Sequence, residues 1–360
     1  MAKPKNTKAF LVDASVRHAV YVQRFSTSQV NEMLPYLTRI RKSIASELAM
    51  GELTDLSKKR LNRLYGEVTS INAAALGSMG KKLKVNMKEF GIYEKEFNAR
   101  MFETGTIAEW VIPTDKQVTA AIFSEPVASL RDKGLSIDGF LDEYSDKKGK
   151  QIVNFIQEGV IKGSSNQTIV AALANFADST MRNELKTVVK TITGHASTIA
   201  RDELYRENQD VIEGIEWIAT LDSSTCIICA SMDHEVFPVG GAPDKPHLGC
   251  RCVKVPIVKK EYSITGAVEG LERPARGAEG RELGISAETT YGDWLRTQPA
   301  WFQDDILGIN KGQLFRDGGL DIKRFVNDER KPLTLDKLKK TGDREIRRAV
   351  NKSGILPYDD

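Results

Sequence analysis

The four cysteines of the chain fall within 27 residues, in the stretch CIICASMDHEVFPVGGAPDKPHLGCRC from Cys226 to Cys252, together with two of its four histidines. Cys226 and Cys229 form a CxxC turn, and His247, Cys250 and Cys252 follow some twenty residues later as HxxCxC. Two ligand-bearing turns separated by a hairpin-length insert suit a tetrahedral zinc ion, which accepts thiolate and imidazole and needs donors converging from separate chain segments. Five donors compete for four places. The first choice is Cys226, Cys229, Cys250 and Cys252, with His247 either replacing one thiolate or hydrogen-bonding to a ligand. Such a filled coordination sphere would make the zinc structural. Free thiols packed as small hydrophobes, or disulfides formed in an oxidising medium, are the competing readings. His234 reads as a solvent-exposed turn residue, and His195, in TITGHASTIARDEL, as a helix-surface or helix-packing residue.

An enzyme makes further demands. A hydrolytic zinc needs an open position and a general base, and the deaminase order of HxE before PCxxC is absent. Glu235 adjoins His234, but neighbours on a strand point to opposite faces. Neither a GxxxxGK[ST] phosphate loop nor a GxSxG elbow occurs. A metal-dependent nuclease or hydrolase is therefore an alternative, and so is a nucleic-acid-binding zinc module, favoured by Lys254, Lys259 and Lys260.

The elements that must position the thiols change character along the chain. Val30, Leu34, Leu37, Ile40, Ile44 and Leu48 recur at helical spacing, as do Leu61, Leu64 and Val68, with Pro35 expected to kink or restart the first helix. Ile152, Phe155, Ile156 and Val160 form another stripe, Gly163 ends that helix, and Ser164 with Gln167 reads as the capping box of the next, which carries Ile169, Leu173 and Phe176. A further helix is expected from Met181 to about Gln209. From Gly214 the sequence predicts short strands in GIEWIATLD, EVFPV and RCVKVPIV, joined by a Gly/Pro loop.

The expected fold is mainly α with a small α+β module: helical hairpins, then a short-stranded, cysteine-rich zinc module, then an extended C-terminal tail. The corresponding divisions are an N-terminal helical region (1–137), a second helical part (138–213), the cysteine-rich module (214–262), a linker or overlying loop (263–290) and a docking tail (291–360). In that tail WLRTQPAWF places two tryptophans and a phenylalanine within nine residues, with Pro299 breaking any single helix, so it should dock on a partner or on the chain's own helical body.

At 41% hydrophobic and 28% charged residues, the 360-residue chain can bury a sizeable core. It shows no signal-peptide core and no run of some 18 apolar residues. A reducing cytosol is its expected place of folding. Net charge is +3. Residues 321–360 hold 11 Lys and Arg against 8 Asp and Glu, and the rest balances at 41 against 41. The mildly basic end could touch phosphate or an acidic partner, though a solvated helical face looks the same.

TLDSSTCIICASMDHEVF followed by KPHLGCRC resembles the signature of the phage Mu F-like minor head proteins, the phage head-morphogenesis family. Asp222, Thr225, Cys226, Cys229, Phe237, Pro246, His247, Cys250, Arg251 and Cys252 match its pattern in order. The likeness extends over roughly residues 140–335, and the first third is similar in helical character only. Two departures are Gly249, where the family often has asparagine, and His234, near which it often has glycine. The resemblance implies a few-copy, non-enzymatic virion component, assembled in the bacterial cytoplasm and placed in the head at or near the portal vertex. Its implied partners are the portal protein and the major capsid protein, with weak contact to packaged DNA. Family members are thought to help head assembly or to travel with the DNA.

Overall fold

The computed structural model describes residues 4–49, 58–127, 134–243, 246–266, 272–341 and 343–355, with the side chains of 282 and 283 excepted. Two long helices, α1 (Thr7–Leu48) and α2 (Lys58–Gly105), run beside α3 (Asp115–Ser124), α4 (Ile137–Ile161), α5 (Asn166–Phe176) and α6 (Arg182–Glu207). The helical stripes are what hold them. Ile40, Ile44 and Leu48 of α1, Val68 and Leu83 of α2, Ile152 and Ile156 of α4, and Ile169 and Leu173 of α5 share one continuous core.

Three local details differ from expectation. Pro35 lies inside α1 without dividing it, because tertiary packing on both sides outweighs the one backbone bond that proline removes. The cap of α5 is Ser165, which accepts from the Thr168 N–H, one residue later than the Ser164–Gln167 spacing suggested. Phe155 is 39% exposed and lies against Phe176 at the edge of the core. A single π-helical turn, Ala177–Met181, joins α5 to α6.

The strands follow α6. In the first sheet β1 (Ile212–Ile218) is central, paired antiparallel with β3 (Val236–Phe237) on one side and β4 (Val253–Val258) on the other. Between β1 and β3 the chain forms β2 (Leu221–Asp222) and the short helix α7 (Ile227–Ser231). β1 is buried at six of its seven positions, not the alternate ones, because both of its faces are covered. Ile212, Ile215 and Ile218 join a core with Leu11 of α1, Phe102 of α2 and Leu204 of α6, whereas Trp217 joins the core of the C-terminal part. Where α1 begins, the Thr7 N–H donates to Ile264 O at 2.9 Å and the Ile264 N–H donates to Thr7 Oγ1 at 2.8 Å, so the first turn of α1 is clasped to the segment after β4.

The span 263–290, expected to be a linker or overlying loop, contains a β-hairpin instead. Strand β5 (Glu272–Gly277) pairs parallel with β2 and antiparallel with β6 (Gly280–Ser286). ERPARG carries almost no strand-favouring residue. What makes it a strand is burial of alternate positions, Arg273, Ala275 and Gly277. Part of the span, residues 267–271, lies outside the described residues.

The tail is folded rather than extended. It forms α8 (Tyr291–Thr297), α9 (Ala300–Leu307), α10 (Ile309–Arg316), a 3-10 turn (Ile322–Phe325), α11 (Leu335–Lys340) and α12 (Arg344–Ser353). Pro299 does separate α8 from α9. Trp294, Phe315 and Phe325 share a core with Trp217, Cys229, Cys250 and Cys252, so the tail docks on the cysteine-rich module, and among the described residues no tail side chain joins the helical core expected to receive it. Trp301 is left 62% exposed.

Candidate metal centre

Cys226 caps α7, its Sγ accepting from the Cys229 N–H at 3.4 Å. This places the first two sulfurs on one turn. The second pair sits on the turn leading into β4, which Gly249 enters with φ +75°. That value favours glycine and, next, asparagine, so glycine here satisfies a backbone requirement and does not merely loosen the turn. His234 stands at another such position, φ 63°. Both departures from the family's pattern thus exchange residues at left-handed backbone sites.

All five sequence candidates come together. Cys226, Cys229 and His247 form one group and Cys229, Cys250 and Cys252 a second, with donor atoms in each group within 4.8 Å of one another and Cys229 common to both. Cys229 Sγ lies 3.5 Å from Cys250 Sγ. Tetrahedral zinc with Zn–S bonds near 2.3 Å separates its sulfurs by ~3.8 Å, so this spacing fits a shared ion. It exceeds the ~2.05 Å of a disulfide, and none of the four cysteines is disulfide-bonded. Cys229, Cys250 and Cys252 are buried, while Cys226 and His247 are half-buried.

The cluster is electrostatically uneven. Hydrogen bonding from Cys229, helped by His247, draws the Cys226 thiol down to about 5. Contacts with Cys226 and Cys250 push the His247 imidazole up to about 10. Cys229, crowded by the Cys226, Cys250 and Cys252 sulfurs, is held protonated. A divalent cation resolves this crowding, because it favours the thiolate at every sulfur it touches. The donor set therefore fits a thiophilic metal ion.

Residues that offer no donor hold the two ligand turns in place. Arg251, between Cys250 and Cys252, makes a two-pronged ion pair to Asp222, with Nη1 to Oδ2 at 2.5 Å and Nη2 to Oδ1 at 2.6 Å. Asp222 Oδ1 also accepts from the Ser224 N–H, and the Thr225 hydroxyl donates to Thr220 O at 2.5 Å. One carboxylate thereby ties the approach to Cys226 to the turn bearing Cys250 and Cys252. The sequence marks Asp222, Thr225 and Arg251 as part of a pattern, but their positioning roles appear only in three dimensions.

A second buried pair fixes the far side. Asp233, directly after the CxxC helix, accepts from the Ala219 and Tyr291 N–H groups at 2.7 Å each and pairs with Arg273 at 3.0 Å. His234 is not solvent-exposed as expected. Arg273 Nη1 lies 3.0 Å from its Nε2, and Glu216 Oε1 lies 2.8 Å from its Nδ1. Because a guanidinium only donates, Nε2 accepts and Nδ1 carries the proton to Glu216. These bonds offset the cost of a left-handed histidine, ~1–2 kcal/mol. Sequence reasoning missed Arg273, which sits in the glycine- and charge-rich span. His195 is a packing residue, buried with its Nε2 2.9 Å from Ile122 O.

Beside the cluster, a cavity of about 440 Å³ opens between α6 and the loop before Cys250. His247 and Gly249 line one side, Asp202 and Lys254 another. The Asp202–Lys254 ion pair, at 3.1 Å, occupies both of those charges.

The segment from within α4 to within β4, residues 150–255, matches the family described as Phage Mu protein F like protein. The chain carries a phage Mu F-like domain. The Mu F-like domain thus includes α5, α6, the central strand and every candidate ligand, and it is a domain of a phage head-morphogenesis family. The match is narrower than the likeness read from the sequence, since β5, β6 and the tail lie beyond residue 255. No curated protein and no solved structure matches the chain. Among the described residues no helix is long and apolar enough to cross a membrane.

Proposed function

We propose that the protein is a structural minor head protein of a bacteriophage, acting in head morphogenesis at or near the portal vertex, with the portal and major capsid proteins as partners. The observation that carries this reading is the Mu F-like match over residues 150–255. The site is consistent with it. We assign the ion as zinc, held by Cys226, Cys229, Cys250 and Cys252, with His247 hydrogen-bonded to the Cys226 and Cys250 sulfurs. Bound there, zinc would supply a cross-link between two turns and no open position for activating water. The protein's own residues then do the positioning: Asp222 and Arg251 set the spacing of the turns, and Asp233 with Arg273 anchors the CxxC helix to the C-terminal hairpin.

Partner contact through the tail's outer face, where Trp301 and Ile309 are exposed, would depend little on charge, because the net charge is only +3. Raising salt from about 0.1 to 0.5 M, which shortens the Debye length from ~10 Å to below ~5 Å, should therefore weaken binding only modestly. The test pairs a pull-down against the cognate portal and capsid proteins at both salts with a nuclease assay in Zn²⁺, Mg²⁺ or Mn²⁺. Retained portal or capsid binding with no cleavage is the expected result. Metal-dependent DNA cleavage that disappears in Cys229→Ser, without binding to either protein, would overturn the reading in favour of a nuclease.

A further inference from the structure

Arg201, on α6, is only 5% exposed, yet among the described residues no carboxylate or carbonyl pairs with it, and its Nε is fully enclosed without a partner. Facing the same small cavity from α1 is Ser26, 3% exposed, whose Oγ is likewise enclosed and unpaired. The third wall is the turn Gly249–Arg251. A buried guanidinium without a counter-charge is strongly destabilising, so its retention calls for a compensating anion.

The nearby carboxylates are already committed. Asp222 is taken up by the two-pronged pair with Arg251. Glu94, behind Ser197 of the cavity wall, accepts from the Ser197 hydroxyl at 2.5 Å on one oxygen and faces His18 Nε2 at 2.6 Å on the other. Lys190 lines the cavity as an exposed residue. What remains is two cations and one hydroxyl with hydrogen-bonding capacity to spare. The cavity measures about 30 Å³, room for about two waters or one tetrahedral oxyanion, and far too little for a nucleotide.

We propose that this cavity binds a small free oxyanion of the phosphate class, held by Arg201, Lys190 and Ser26. The planar guanidinium fork matches such an anion, and each bond would be charge-assisted. Bound there, the anion clamps the turn that carries Cys250 and Cys252 onto α1 and α6. The site adjoins the metal centre, since Cys250 lines the cavity, but it uses none of the metal donors and does not depend on the head-protein reading.

The test is thermal unfolding of the full, metal-loaded chain in phosphate-free buffer. Inorganic phosphate and sulfate are titrated against sodium chloride at matched ionic strength, with a short DNA duplex as a further arm. Phosphate and sulfate should raise the Tm saturably while chloride and duplex do not. Arg201→Met should abolish the response, yet be at least as stable as the parent in phosphate-free buffer, because an unpaired buried charge is gone. Lys190→Gln, an exposed change that leaves packing alone, should weaken the apparent affinity roughly tenfold. Equal responses to phosphate and chloride would mean that the cavity is merely hydrated, and the proposal falls. It falls also if both variants keep the parental response, or if the duplex stabilises through Arg201 where free phosphate does not, which would identify the backbone of DNA as the anion.

Discussion

In the helical body the enclosed side chains are mainly apolar: Ile40, Ile44, Leu48, Val68, Leu83, Ile152 and Ile156 interlock across the long helices, with the buried His18–Glu94 pair among the fewer polar contacts. In the cysteine-rich module and its tail the enclosed groups include Trp217 and three cysteines, with the Arg273–Asp233 ion pair buried beside them. The body gains ~1.5–3 kcal/mol for each large aliphatic side chain it buries, and it has many. The module is built from strands of two to seven residues around a five-residue helix, too little apolar surface for the same strategy. Where helices are long, apolar burial carries most of the packing and directional bonds such as His18–Glu94 are few. Short elements need cross-links whose geometry is fixed, and the module concentrates them at the two ligand turns and at Asp233.

The largest expected difference comes from removing the metal. Cys229 belongs to both donor groups, so Cys229→Ser should abolish metal retention and open residues 212–258 to proteolysis, since binding energy at such a site is also folding energy. The helices at 137–207 should stay protected. Cys226→Ser or His247→Ala should leave more metal bound. Equal protection of both regions in Cys229→Ser would show that the module does not need the ion.

A smaller effect is expected at Asp233. Asp233→Ala strands the Arg273 charge and removes acceptors from two backbone N–H groups, which should cost ~3–5 kcal/mol in denaturant unfolding of the module. Adding Arg273→Met should recover part of that loss. If the double variant is no better than the single one, the backbone bonds to Ala219 and Tyr291 and not the ion pair are what matter.

The smallest effect belongs to Trp301, with the buried Trp294 as its counterpart. Trp294 is 1% exposed and Trp301 62%. Trp301→Ala should shift stability by less than ~0.5 kcal/mol and remove the red-shifted part of the indole emission. Trp294→Ala should cost ~3–5 kcal/mol, as core truncations do. Similar costs for both would mean that the tail packs differently against the module.

The helical stripes and the thiol cluster are legible in the sequence because both announce themselves by spacing. Ile40, Ile44 and Leu48 are periodic, and four thiols with a histidine within 27 residues are what a thiophilic ion requires. Strands β1, β3 and β4 are legible from branched and aromatic residues. The β5–β6 hairpin is not, because Arg273 is buried by pairing with an aspartate forty residues away, a fact that no local window contains. His234 misleads for the same reason: a histidine in a turn looks solvated until Glu216 and Arg273 close around it. The tail's aromatics signal that it packs, but not where: the surface is the cysteine-rich module and not the helical body expected, and which of Trp294 and Trp301 is covered depends on that surface.

The clasp between Thr7 and Ile264 has a consequence for synthesis. Its two residues are 257 apart in sequence. At ~5–20 residues per second, ~13–50 s pass between the emergence of one and the other. For that interval the first turn of α1 lacks two of its hydrogen bonds, so the newly made helix presents a bare edge to other chains. The thiols at 226–252 precede Ile264, so the edge stays open until after every candidate ligand has emerged, and slower elongation only lengthens that interval.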